Sequence, residues 1–317
     1  MTNKKFPFDY TQLPFGAMAS IKDPDCVNHL TQFTPDLDDV LTDQTLSQEF
    51  CGQYKSWIAS SKLNTWQGLD EFKHAVMANG TTEVFDKFYI KNSTRRFRCF
   101  NAEYKYHELT WRSHALGWKR IEDGSIEAND AVVISLPFSD TGDQHAQHNS
   151  VLEQCSKLGV PVLLDCAWFG ICQGMNFDLT HPCITDVSVS LSKTFPVAHA
   201  RIGMRLTRVD NDDALFVLQK TNYINRFGAA LGLHFINKFG PDYIAEKYRN
   251  TQLQFCEILK LDPSPTVLMG TSTSLGSEYN RGGATNRLSF HRFLPEDQHS
   301  LFYQIARDQF DREAFLQ

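Results

Sequence analysis

An amine, a carboxylate and a guanidinium fall close enough together in this chain to do chemistry. Lys193 follows an alternating run in "SVSLSKTFPVAHARIGMRL" (188–206), set among the hydroxyls of Ser190 and Ser192, and Arg201 comes eight positions later. A lysine at the end of a buried strand is costly to desolvate, so it either reaches water or is used as a nucleophile or proton carrier. Asp165 closes a second apolar run, "VPVLLDCAW" (160–168). Buried there, a carboxylate needs a positive partner. A third run, "DAVVISLPF" (130–138), leads into the polar stretch Ser139 to Gly142.

These residues are positioned by the runs that precede them. The runs at 130–138 and 160–168 are separated by a polar, helix-compatible stretch, 143–159. Two buried strands joined by a helix's length of chain imply a right-handed βαβ unit and a parallel sheet. "ITDVSVSLS" (184–192) and "ARIGMRLTRV" (200–209) read as further strands. In an open parallel sheet ligands bind beyond the carboxyl ends of the strands, where Ser139, Asp165 and Lys193 converge. "LDEFKHAVMAN" (69–79) carries helical spacing at Leu69, Phe72, Val76 and Met77 and stops at Gly80. Beyond 209 the pattern is helical, followed by two strands, "TVLMGTST" and "NRLSFHRF".

Composition sets the outer bounds. The chain has 317 residues, 42% apolar and 21% charged, as expected of a folded globular protein of one or two domains. A net charge of −6 argues against nucleic acid, and the short basic cluster "TRRFR" (94–98) reads as a solvated face. The start, "MTNKKFPFDYTQ", lacks an apolar core of signal-peptide length, and no run approaches the ~20 apolar residues of a membrane span, so the expected compartment is the cytoplasm. Eight scattered cysteines show neither zinc-site nor disulfide spacing. His145 and His148 sit three apart on an expected helix, but no third ligand is spaced to join them, so no metal is expected.

"SLSK" followed by "ARIG" resembles the S-x-S-K…R-x-G pattern of fold-type-I pyridoxal-phosphate enzymes of the class I and II aminotransferase group, and the interval from Asp165 to Lys193 suits it. That resemblance implies an aspartate-aminotransferase-like α/β fold: a three-layer α-β-α large domain with a mainly parallel sheet, and a small α+β domain. The corresponding division is an N-terminal arm with part of the small domain at 1–54, a cofactor-binding domain at 55–238 and a C-terminal small domain at 239–317.

The same resemblance implies pyridoxal 5'-phosphate as cofactor. Lys193 would be the Schiff-base lysine and Asp165 the carboxylate on the pyridine nitrogen. "NGTTE" (79–83) is similar to the phosphate turn, so Gly80, Thr81 and Thr82 would hold the phosphate with Ser190, Ser192 and Arg201. In "AEYKYHE", Tyr104, or else Tyr106, would stack on the ring. "TWQGLDEF" resembles the Tyr-x-Gly opening of the first large-domain helix, with Trp66 as a contributor to a neighbouring subunit. In "NRLSF", Arg287 would bind a substrate carboxylate.

Two positions depart from the pattern. Ser139 stands where an asparagine usually contacts the ring hydroxyl, and Trp168 where a tyrosine does so. Each change removes one neutral hydrogen bond, worth roughly 0.5–1.5 kcal/mol. The implied function is an aminotransferase acting on an amino acid or related primary amine with a keto-acid co-substrate, as a homodimer. The alternatives are lyase, decarboxylase or other chemistry on the same cofactor, and a non-catalytic binding module.

Overall fold

The computed structural model describes residues 18–107, 117–210, 213–273, 279–280, 282–304 and 306–307. The stretch read for a leader lies outside them. The N-terminal part of the described chain contributes helices α1 (Pro24–Thr31), α2 (Leu37–Thr42) and α3 (Leu46–Ala59). There follow β1 (Thr65–Gln67), β2 (His74–Asn79), α4 (Thr81–Lys91), β3 (Arg96–Cys99), β4 (Trp118–Arg120), β5 (Asp130–Ser135), α5 (His148–Leu158), β6 (Val162–Asp165), β7 (Asn176–Asp178), β8 (Ile184–Ser190) and β9 (Ile202–Thr207). Helices α6 (Ala214–Lys220), α7 (Arg226–Ile236) and α8 (Tyr243–Leu259) lead to β10 (Asp262–Pro263), β11 (Met269–Ser272) and β12 (Asn286–Ser289).

A seven-stranded sheet in the order β2-β9-β8-β6-β5-β3-β4 organises the molecule. The block β8-β6-β5-β3-β4 is parallel, and β9 runs antiparallel to both of its neighbours. Successive residues of β5 point to opposite faces. Val132 and Ile134 join the larger core with α3, α5, α7 and α8, while Ala131 and Val133 join a smaller one with Val84, Phe85 and Phe88 of α4 and with Leu215 and Phe216 of α6. Helices on both faces of a mainly parallel sheet make the three-layer α/β arrangement expected. A separate antiparallel sheet, β10-β11-β12, packs with α8. Among the described residues no helix is long and apolar enough to cross a membrane.

Several readings from the sequence are overturned. The stretch 69–79 is not a helix: a short 3-10 turn at Leu69–Glu71 is followed by β2, an outer strand of the main sheet. Its apolar residues mimic helical spacing because a strand buried on both faces carries no alternation to betray it. The helix opening read in "TWQGLDEF" is therefore β1 and that 3-10 turn. The basic cluster 94–98 is no solvated face either. Arg98 lies in β3 with its side chain fully buried, 2.7 Å from Asp130, which Arg96 also engages at 2.6 Å. His148 opens α5 while His145 precedes it, so the two do not share a helix.

Candidate active site

Four strand ends and the turns after them surround a cavity of about 350 Å³. Its walls include Thr81 and Thr82 from the start of α4, Ser135, Asp165, Ser190, Ser192 and Lys193 from the ends of β5, β6 and β8, and Arg201 at the entry to β9. Tyr104, Ser139, Trp168 and Arg287 complete the polar and aromatic lining, and Met18 adds an apolar side chain. The structure thus brings together Thr81, Thr82, Tyr104, Ser139, Asp165, Trp168, Ser190, Ser192, Lys193, Arg201 and Arg287, while Gly80 lies beside the cavity as the residue preceding α4 and the alternative aromatic, Tyr106, is outside it. Tyr106 turns away to donate to Asp86 at 2.8 Å, while Tyr104 borders the cavity. Trp66 also lies elsewhere, stacked on Phe177 with ring centroids 4.3 Å apart.

The hydroxyl and guanidinium groups form one cluster. Arg201 adopts a left-handed backbone (φ 56°, ψ 57°), and its Nη2 donates to Thr82 Oγ1 at 3.0 Å. Ser190 Oγ lies 2.7 Å from Ser192 Oγ and also accepts from the Ser192 N–H at 3.1 Å. Gly80 has φ 74° and ψ −179°, a conformation suited to glycine, and a side chain there would run into the Arg201 guanidinium. Gly203 on β9 lets the same turn approach: a Cβ at that position would stand 2.8 Å from the Gly80 backbone. The start of an 11-residue helix, three hydroxyls and an arginine are therefore packed into a cradle of the kind that binds a phosphate group.

The carboxylate side of the site is set by strand register. Ser135, Asp165 and Ser188 pair across β5, β6 and β8 and form one row. Asp165 Oδ1 accepts from Ser188 Oγ and from the Ala167 N–H, each at 3.1 Å. Burial first, and then the neighbouring Glu103, raise the Asp165 pKa to about 7 against the opposing pull of Ser188, the Ala167 N–H and Lys193. Glu103 is a buried carboxylate that the sequence did not reveal. It accepts from Ser135 Oγ at 2.6 Å, from the Ser135 N–H at 3.0 Å and from the Tyr104 N–H at 2.9 Å. No periodicity marked it, because its partner is far away in the chain.

Lys193 is half-buried and donates from Nζ to the Met18 carbonyl, a contact that no sequence pattern announced. Arg287 is buried, donates to the Ser139 carbonyl and lies 5.4 Å from the Trp168 ring centre. Both positions that depart from the usual pattern, Ser139 and Trp168, thus meet the same arginine. A phosphate cradle, an amine and a buried carboxyl of raised pKa facing one cavity fit a phosphorylated pyridine aldehyde. The amine suits the aldehyde, and the carboxyl suits a ring nitrogen.

Solved structures agree with this architecture. A histidinol-phosphate aminotransferase from Clostridium acetobutylicum superposes with a TM-score of 0.62 at 14% identity, covering 94% of this chain and 99% of its own. It has the aspartate-aminotransferase-like fold. An aromatic aminotransferase from Pyrococcus horikoshii shares this fold with a TM-score of 0.61 at 10% identity, covering 94% of this chain and 95% of that one. So does a protein assigned as a pyridoxal-phosphate-dependent beta-cystathionase from Corynebacterium diphtheriae, with a TM-score of 0.61 at 13% identity, covering 96% and 95%. No family model matches the chain, and no curated protein matches it in sequence.

Proposed function

We propose that this protein is a pyridoxal-phosphate-dependent aminotransferase acting on an amino acid or a related primary amine. The observation that carries the reading is the meeting of Lys193 and Asp165 in one cavity with the Thr82–Arg201 cradle. In this reading Gly80, Thr81, Thr82, Ser190, Ser192 and Arg201 hold the phosphate. Asp165 keeps a proton on the ring nitrogen, and Tyr104 offers its ring as a stacking surface. Bound there, the cofactor supplies an electron sink for charge developing at the substrate's α-carbon. Lys193 would hold the cofactor's aldehyde through its amine and would carry the proton to and from the substrate's α-carbon. Arg287 orients a substrate carboxylate after leaving the Ser139 carbonyl.

A second reading keeps the site and changes the bond that breaks, as in a lyase or decarboxylase. Ser139 and Trp168 favour it, since the groups that usually contact the ring oxygen are replaced. The two readings separate on incubation of loaded enzyme with a panel of amino acids. Conversion to the pyridoxamine form supports transamination, and its absence with every amine would sink that reading. Purified protein should take up pyridoxal phosphate and show an absorbance band that borohydride bleaches. Lys193→Ala should lose covalent attachment altogether, and an adduct surviving in that variant would overturn the lysine assignment.

We further propose the division at residues 54 and 238 and a homodimer. Exposed Leu37, Leu41, Val217, Tyr223 and Phe227 offer apolar surface for a second copy. Light scattering that gave a fully active monomer would exclude the dimer. Eight buried thiols, all free, suit a reducing compartment, and we place the protein in the cytoplasm on that ground.

A further inference from the structure

Glu103 has no part in the chemistry described so far, yet it is built into the site. It is 6% exposed, and its carboxylate is anchored by both polar groups of Ser135 and by the Tyr104 N–H. Ser135 pairs directly with Asp165 in the parallel register of β5 and β6, where neighbouring strands lie about 4.8 Å apart. Paired residues of parallel strands point to the same face, so Ser135 holds the Glu103 carboxylate on the face from which Asp165 projects, and the charge of Glu103 acts on Asp165 through space. Two buried carboxylates within electrostatic reach of one another do not both ionise freely. Glu103 also holds the backbone of Tyr104, which lines the cavity.

We propose that Glu103 is a positioning residue for Asp165: the two carboxyls share a single proton in the cofactor-free protein, and that proton is the one Asp165 passes to a pyridine nitrogen. The second half rests on the pyridoxal-phosphate reading; the first does not. The transfer balances: an O–H bond at the carboxyl pair breaks, an N–H bond forms on the ring, and the pair is left doubly ionised beside a cation. No proton has to be drawn from solvent into a closed site.

The surroundings agree with a shared proton. Burial raises the pKa of Glu103, the Ser135 and Tyr104 donors oppose the rise, and Asp140 adds to it. Around Asp165, Glu103 is the carboxylate that raises its pKa and Lys193 the cation that lowers it. Cys166 and Tyr89, which also face Asp165, are themselves pushed well above their usual range by burial and remain neutral.

The test is a carbon-13 NMR titration of the side-chain carboxyls in cofactor-free protein, with Glu103→Gln and Asp165→Asn used to assign the signals. In the wild type both carbons should respond over the same two steps. In Glu103→Gln the Asp165 carbon should titrate in one step, with its midpoint at least about one pH unit lower, a tenfold loss of proton affinity. Independent single-step curves in the wild type would overturn the proposal, as would an unchanged Asp165 midpoint in the variant. The wild-type curve decides even if the variant does not fold. Protein that takes up no pyridoxal phosphate would sink the functional reading and leave the carboxyl titration standing, so the two failures are distinguishable.

Discussion

Asp130 and Asp165 are both buried, on neighbouring strands of one sheet, and their environments are opposite. Asp130 opens β5 at the amino end and is met by two guanidiniums, with Arg96 Nε at 2.6 Å and Arg98 Nη1 at 2.7 Å, and by the Glu127 N–H at 2.9 Å. Burial alone would raise its pKa, but these partners hold it below the usual carboxylate value. Asp165 closes β6 at the carboxyl end and receives a hydroxyl, one amide and the company of a second acid. At the amino end the carboxylate is in direct contact with two guanidiniums; at the carboxyl end Asp165 is held by a hydroxyl and an amide, and Lys193 acts on it only through space. A buried carboxyl left with a raised pKa is the kind of group that functional sites employ.

Asp130→Ala should cause the largest change. It takes the carboxylate from Arg98, whose side chain is fully buried and keeps backbone carbonyls such as those of Lys119, Arg120 and Ser125 as acceptors, and removing one member of a buried ion pair costs up to about 3–5 kcal/mol. The urea midpoint should fall accordingly, with the activity of the remaining folded protein unchanged. A loss of activity without loss of stability would erase the division between the two ends.

Asp165 should act on stability with the opposite sign. Its folded pKa of about 7 lies above the ordinary 3.8, so the folded state binds the proton more tightly than the unfolded chain. Stability of the cofactor-free protein should therefore decline as pH rises from about 4 to about 7, and level off above that. Each pH unit across that interval removes roughly 1.4 kcal/mol, so the total loss approaches about 4 kcal/mol. Asp165→Asn should remove most of that slope, leaving the part due to Glu103, whose pKa burial also raises, and should stabilise the cofactor-free protein at pH 8 while abolishing the activity of the loaded enzyme. Unfolding measured across pH checks this, and a slope undiminished by the substitution would assign it to another group. Asp130, with its depressed pKa, contributes stability that is present at neutral pH and lost only on strong acidification.

The difference between the two ends also governs what the sequence disclosed. Lys193 and Asp165 were legible because functional groups at the carboxyl ends of parallel strands follow short apolar runs, and Arg201, which precedes the antiparallel β9, was legible through the R-x-G part of the family resemblance. The Arg98–Asp130 pair was not, since it depends on the parallel register of β3 with β5, and the same letters read as a solvated cluster. Glu103 was hidden for the same reason, its partner Ser135 lying on another element. β2 was misread because Val76, Met77 and Ala78 are all buried, leaving no period-two pattern. The fold class survived these misreadings because it rests on the β5–α5–β6 unit, whose pattern is local.

The smallest effect concerns Ser188, whose hydroxyl supports the Asp165 carboxylate. Its Oγ donates at 3.1 Å, an interaction that favours the ionised form. Ser188→Ala leaves a methyl in that place, so the Asp165 midpoint should move up, opposite to the change expected for Glu103→Gln. A hydrogen bond to a charged group contributes about 1.5–3 kcal/mol and a neutral one about 0.5–1.5, so the rise should be about one pH unit. The same carboxyl titration reads it. Because Ser188 and Glu103 lie on different sides of Asp165, the double variant should return the midpoint most of the way toward the wild-type value. A double variant that matched either single one would mean that the two neighbours act through a common rearrangement of the strand ends rather than through separate charges on Asp165.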